Sequence, residues 1–263
     1  MIKCGVVQAC SVSEVQKNIE TLKKYVVEAK EKECSVVCFP EAFLTGYVPK
    51  EVSKLSVTTD SKYIQQVSEM ARQYRIDVLV GFMERYHENV YYLTYGIFRE
   101  DGSRAFYRKT HLGQREQAIF AAGDELSVFR LSCGLKIGIQ LCVEVHFPEI
   151  TQTLSLRGAE VVFSPHAVPR VAGSRGAIWS KIIPARSYDN RVYMACCNLW
   201  DKEKFGGGCL VTDPVGEVVA SCYEEQEKLV CFEVEREKVS CYHEDNGGMK
   251  QRYYPGMRRS HLY

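Results

Sequence analysis

The chain reads as an α/β protein whose helices cover buried sheets, and three observations predict this. Short apolar runs such as Val36-Val37-Cys38-Phe39 suit strands buried on both faces. Between them lie stretches whose apolar residues recur every three or four positions, as on one face of a helix. This strand-helix alternation runs from residue 2 to 82 and restarts near residue 135. Two similar halves of interleaved elements specify layers of helix on sheet. No Pro/Ser linker or charge block separates the halves, so 1–263 is read as a single domain. The polar segment from about residue 240 is read as a C-terminal tail at a subunit interface.

In order, residues 2–9 form a strand, and Ser13 with Gln16 three positions on has the pattern of a capping box. The helix that follows carries Val15, Ile19, Leu22, Val26 and Ala29 on one face and lysines on the other. A strand at 35–39 stops at Pro40-Glu41. Asp60 or Ser61 then caps a helix striped by Ile64, Val67, Ala71 and Tyr74, and 76–82 is a third strand. Strands at 90–98 and 104–108 flank Asp101-Gly102, a strong hairpin signal. Further strands are expected at 127–131 and 135–141. Pro148 can open a helix and Gly158 close it. A strand at 160–164, a helix at 177–190 and strands at 192–197, 209–213, 217–220 and 229–234 complete the pattern.

Composition narrows the function. Lys plus Arg number 34 and Asp plus Glu 33, so the net charge of +1 supplies no field to hold nucleic acid or an anionic membrane. No stretch reaches the roughly 18 apolar residues of a membrane span. The expected partner is a small molecule. Twelve cysteines in a chain with ample core material are read as reduced thiols of a cytoplasmic protein; no C-x-x-C pair occurs, so no structural zinc is expected. G-x-G-x-x-G, P-loop, H-E-x-x-H and G-x-S-x-G patterns are missing, which argues against dinucleotide, nucleoside-triphosphate, zincin and serine-hydrolase chemistry. No metal and no cofactor is expected.

Three residues stand where strands end, the place where α/β sheets carry functional groups. Glu41 lies between Phe39-Pro40 and Ala42-Phe43-Leu44, an apolar setting that would raise a carboxylate toward the range of a general base. A lone glutamate is otherwise more often a surface charge. Lys109, just past the hairpin, is by itself most simply a solvated cation. Cys142 is set apart from eleven other cysteines by position: it ends a buried strand and precedes a turn into a helix, like an elbow that presents a nucleophile. Glu144 nearby would oppose a low thiol pKa by repulsion, so a base and a lysine would be needed to activate the sulfur. The scattered histidines are more simply packed side chains than ligands.

Taken together, Phe39-Pro40-Glu41, the run Tyr107-Arg108-Lys109-Thr110-His111-Leu112 and the run from Leu141-Cys142 to Phe147-Pro148-Glu149 resemble, in order and spacing, the signature segments of the nitrilase superfamily of carbon-nitrogen hydrolases. The segments 183–190 and 205–209, Asp213-Pro214-Val215-Gly216 and the ending at 258–263 add to the resemblance, which covers nearly the whole chain. It implies a four-layer αββα sandwich that pairs with a second subunit as a homodimer or higher homo-oligomer. It also implies that Glu41 is the base, Cys142 the nucleophile, and Lys109 with the Val143 backbone N–H the stabilisers of the oxyanion. Glu116 matches a second glutamate that positions substrate or lysine.

Tyr47, His146, Phe147, His166 and Trp179 are candidate pocket residues, with packing as the alternative for each. Val143 and Glu144 replace the aromatic and aspartate that often follow the nucleophile in amidases, and Asp189 stands where glutamate is usual. The Phe147-Pro148-Glu149 continuation is similar to amidase branches. The resemblance therefore implies hydrolysis of a linear small-molecule amide through a thioester. N-carbamoyl amine or nitrile cleavage is the alternative, and a catalytically silent binding or scaffold protein is the reading of another class.

Overall fold

A computed structural model describes residues 1–243 and 253–262. The first half builds strands β1 (Ile2–Gln8), β2 (Val36–Cys38), β3 (Asp77–His87), β4 (Val90–Phe98) and β5 (Arg104–Arg108), with helices α1 (Val15–Glu31), α2 (Val52–Leu55) and α3 (Lys62–Tyr74). The second half builds β6 (Val128–Arg130), β7 (Lys136–Ile139), α4 (Pro148–Leu156), β8 (Val161–His166), α5 (Arg175–Asn190), β9 (Tyr193–Asn198), β10 (Cys209–Thr212), β11 (Val218–Cys222), β12 (Lys228–Val234) and α6 (Arg236–His243).

The strands form two six-stranded sheets, ordered β12-β1-β2-β3-β4-β5 and β11-β10-β9-β8-β7-β6. Each sheet has a parallel trio at its centre, β1-β2-β3 in one and β7-β8-β9 in the other, with antiparallel strands on both sides. Because side chains alternate along a strand, one strand feeds two cores. Val36 and Cys38 join a cluster with Val6, Leu79, Ile137, Ile139, Phe163 and Ala195, which fills the space between the sheets. Val37 and Phe39 turn the other way, onto Ile19, Leu22 and Val26 of α1 and Ile64 and Val67 of α3. In the second sheet Val162, Met194 and Leu210 face Ile150 and Leu154 of α4 and Trp179 and Ile183 of α5. Helix, sheet, sheet and helix are thus stacked in four layers, as the αββα expectation required.

Two details of the expected helix starts are corrected or resolved. Ser13 does not form a capping box: α1 opens after Glu14 with no side-chain cap, and Asn18 staples the entry instead. Its Oδ1 accepts from Val12 N at 2.9 Å and its Nδ2 donates to Val12 O and Leu44 O. Ser61, rather than Asp60, caps α3 by accepting from Ile64 N. Residues 240–243, expected to be irregular, belong to α6, and Tyr254–Met257 and Ser260–Leu262 form short 3-10 turns. Asn246-Gly247-Gly248 lies outside the described residues. Among the described residues no helix is long and apolar enough to cross a membrane.

Candidate active site

Glu41, Lys109 and Cys142 follow the ends of β2, β5 and β7. The two parallel trios face each other across the inter-sheet core, which sets the ends of β2 and β7 opposite one another, and the chain leaving the antiparallel edge strand β5 brings Lys109 to Glu41. Glu41 sits in a turn that the adjacent strand supports: Leu44 N donates to Gly81 O at 2.9 Å, and Phe39 N to Leu79 O at 2.8 Å. Space under that turn depends on Gly81, whose added Cβ would lie 2.5 Å from Ala42 N and 3.1 Å from Glu41 Cα. Both neighbours are backbone and cannot swing away. Gly81→Ala should therefore displace Glu41 and destabilise the fold by about 2 kcal/mol, in the usual range for overpacking. Turnover should drop at least tenfold, a loss to be read from kcat beside a urea unfolding curve.

Lys109 continues from β5, where alternation separates it from its neighbour. Arg108 turns outward to a bidentate pair with Glu84 (2.8 and 2.6 Å) between the rings of Tyr86 and Tyr92. Lys109 turns inward and is almost wholly buried. Its Nζ is 2.7 Å from Glu41 Oε1 and 2.9 Å from Glu116 Oε2. Glu116 is itself held, accepting from Tyr47 OH and Gly113 N, both at 2.7 Å. Five sequence-predicted residues are thereby brought together: Glu41, Lys109, Glu116, Tyr47 and, by its electrostatic coupling to them, Cys142.

The backbone of Cys142 is left-handed, with φ +49°, and Ala42 beside Glu41 has φ +52°. In a residue with a Cβ this conformation costs on the order of 1–2 kcal/mol, and such strain clusters at active sites. Cys142 opens a 3-10 turn, 142–146, directly before α4. The first N–H groups of such a turn have no partner within it, which leaves the Val143 N–H available to an anion. The thiol is half-buried and interacts with the backbone at Ala167, just past β8.

Electrostatics define the resting state. Burial lifts the Glu41 carboxyl to about 7 against the pull of Lys109, with Glu116 adding to the rise. Burial likewise pushes the Cys142 thiol to about 12, with Glu41 adding to the rise and Lys109 opposing it. Burial alone would lower Lys109, yet the carboxylates of Glu41 and Glu116 hold it above its ordinary value. One ammonium is shared by two carboxylates, so a third negative charge on sulfur is unfavourable until a proton has somewhere to go. Glu41 Oε2 provides that place: it is buried and, among the described residues, has no hydrogen-bond partner.

A pH dependence follows. A base works only when deprotonated, so kcat/KM should fall tenfold per unit below a pKa near 7 and level off above it. Lys109 stays charged throughout that range. A profile from pH 3.5 to 9 that bends instead near 4.5 would contradict this environment for Glu41.

Glu144 corrects an expectation. It is not directed at the thiol, and repulsion at Cys142 comes from Glu41 and Glu116. Glu144 is fully buried and ties the cysteine turn to the lysine loop. Its Oε2 accepts from Leu141 N at 2.6 Å, and its Oε1 accepts from Tyr107 OH, Thr110 N, Thr110 Oγ1 and His111 N at 2.7 to 3.1 Å. An acidic residue two positions past a candidate nucleophile was the available signal, although sequence does not show which way it turns.

The remaining candidates scatter. Trp179 is completely buried in the core of the second sheet and stacks behind His166, ring centroids 4.8 Å apart. His166 is buried, with Nε2 3.2 Å from Ser164 Oγ and Nδ1 unpartnered. Burial first, then the cations Arg175 and Lys109, hold it well below the usual histidine range, so it is neutral. His146 and Phe147 are exposed, and Phe147 packs on His111 at 4.5 Å. Arg175, at the start of α5, escaped notice in the sequence. It is nine-tenths buried, its Nε has no hydrogen-bond partner among the described residues, and it interacts electrostatically with Cys142.

A fold with two facing sheets, each with a parallel trio at its centre, is one that known proteins share. The chain belongs to the carbon-nitrogen hydrolase family, which it matches over residues 3–244. It is 31% identical over 240 residues to the deaminated glutathione amidase of Rattus norvegicus, covering 84% of this chain and 73% of that one. It is 28% identical over 244 residues to a nitrilase of Pyrococcus abyssi, covering 89% and 90%. Among solved structures, an amidase from Nesterenkonia sp. AN1 superposes with a TM-score of 0.86 at 22% identity, covering 100% of this chain and 98% of that one. At that identity the likeness speaks for the fold alone.

Proposed function

We propose that the protein hydrolyses a linear small-molecule amide to a carboxylate and ammonia, with Cys142 as nucleophile. The observation that carries this reading is the free Glu41 Oε2 in a cluster where Oε1 is occupied by Lys109. A carboxylate so held can take the thiol proton while the sulfur attacks the amide carbon. The oxyanion formed is met by the Lys109 ammonium and the Val143 N–H, fixed charges in a dry site. Glu41 then gives the proton to the departing nitrogen, and ammonia leaves a thioester. A water deprotonated by Glu41 attacks the thioester carbon; the tetrahedral anion collapses, the C–S bond breaks, Glu41 returns the proton to the Cys142 sulfur and the acid is released. Glu116 holds Lys109 in place and takes no proton. The names borne by similar proteins, amidases and a nitrilase, agree with carbon-nitrogen bond cleavage.

The test is ammonia release from a panel of small amides, N-carbamoyl amino acids and nitriles, with Cys142→Ala in parallel. Release from amides by the wild type alone is expected. Carbon dioxide with ammonia would point to a carbamoyl substrate, and silence across the panel would revive the scaffold reading.

We also propose a homodimer through the α4–α5 face. There Leu156, Tyr188, Met257 and Leu262 are exposed beside a cavity of about 500 Å³. Isolated apolar side chains are ordinary, but a cluster marks an interaction surface. Light scattering should give twice the 30.0 kDa chain mass, and Leu156→Glu with Tyr188→Glu should return a monomer.

A further inference from the structure

A cavity of about 520 Å³ opens beside the catalytic cluster, within the range of small-molecule sites. Its inner end is Glu116 and Tyr47, the pair that holds Lys109. Val48, Ile119, Pro169 and Phe205 make its walls apolar. The remaining lining includes three exposed cations, Lys50, Arg115 and Lys204. Among the described residues none of the three pairs with a carboxylate. Lys204 donates to Tyr47 O at 3.3 Å and stands over the Phe205 ring, and nearby Glu51 is turned to Lys54. The single acid of the cavity, Glu116, is consumed by Lys109. A whole-chain charge near zero therefore hides a local excess of positive charge at the mouth of the site.

Resting on the amidase reading, we propose that this cavity selects amides whose acyl chain has an apolar middle and a distal carboxylate. The amide end reaches Cys142 past Glu116, the methylenes lie against Phe205 and Ile119, and the carboxylate meets Lys50, Arg115 and Lys204. Arg and Lys at a mouth act through geometry and through the local field that draws in an anion.

The test compares two linear monoamides of equal chain length, one ending in a carboxylate and one in a methyl group, by ammonia release. In the wild type kcat/KM should favour the carboxylate at least tenfold, chiefly through KM. In Lys50→Gln/Arg115→Gln/Lys204→Gln the ratio should fall close to one, and 0.5 M sodium chloride should shrink it in the wild type, since exposed charges are screened. Turnover of both amides without preference, or a preference that survives the triple substitution, overturns the proposal while leaving the amidase reading intact. Loss of the ratio in Arg175→Gln instead also overturns it, moving the anion to the buried arginine. No turnover of either amide sinks both readings.

Discussion

Lys109→Gln should lower kcat/KM by at least 10², because in the proposed mechanism it removes the charge that meets the oxyanion, worth at least about 3 kcal/mol of barrier in comparable sites. Glu41→Gln should cost more, on the order of 10⁴, since an amide side chain accepts no proton from sulfur and delivers none to the leaving nitrogen. The informative result is the double substitution. Lys109 Nζ bonds Glu41 Oε1 at 2.7 Å, so each residue depends on the other for its state. Groups that act as a unit lose activity non-additively. Glu41→Gln/Lys109→Gln should therefore be scarcely worse than Glu41→Gln alone. Free energies of the two single losses that simply add would show that base and cation act independently, contrary to the shared cluster.

The substitutions also differ in stability. Removing Lys109 leaves two buried carboxylates without a counter-ion, which for a broken buried pair costs roughly 3–5 kcal/mol. One of them can relieve this by taking up a proton, and Glu41 is already lifted to about 7. Lys109→Gln should accordingly be less destabilised at pH 5.5 than at pH 8, and chemical denaturation at the two values measures the difference.

The layers of this fold were legible because burial on both strand faces and helical stripes are periodic signals. Val36, Val37 and Cys38 had to serve two cores, and the stripe of α1 had to lie on one of them. The strand-end rule then singled out Glu41, Lys109 and Cys142, which the structure places in one cluster. What sequence could not show was direction. Trp179, an aromatic near a motif, turned into the core. Ser13 caps nothing, and the entry to α1 is tied down by Asn18 instead, whose amide side chain reaches both Val12 and Leu44. Arg175 was invisible because a cation early in a helix is ordinary until the structure shows it buried without a carboxylate.

Glu144 is the clearest case, and its replacement carries the second large effect. Its carboxylate accepts five hydrogen bonds, three of them from backbone N–H groups at Leu141, Thr110 and His111. It therefore joins the residue before the nucleophile to the two residues after Lys109. Glu144→Ala strands those donors in a buried site; with charge-assisted bonds worth about 1.5–3 kcal/mol each and partial relaxation, a loss of about 4 kcal/mol of stability is expected. The left-handed turn at Cys142 is held against its intrinsic preference by this anchor. Glu144→Gln tests positioning apart from stability. Its Oε1 can still accept, but an NH₂ now faces either Leu141 N or Thr110 N, so one end of the clamp is broken. The variant should fold, keep KM within about threefold, and lose kcat by 10² or more, because displacements near 1 Å from a reacting atom have that effect. Its thiol should still react with iodoacetamide, since Glu144 does not activate the sulfur. A Glu144→Gln enzyme with undiminished kcat would show that the turn holds its shape without the clamp, and that Glu144 serves folding alone.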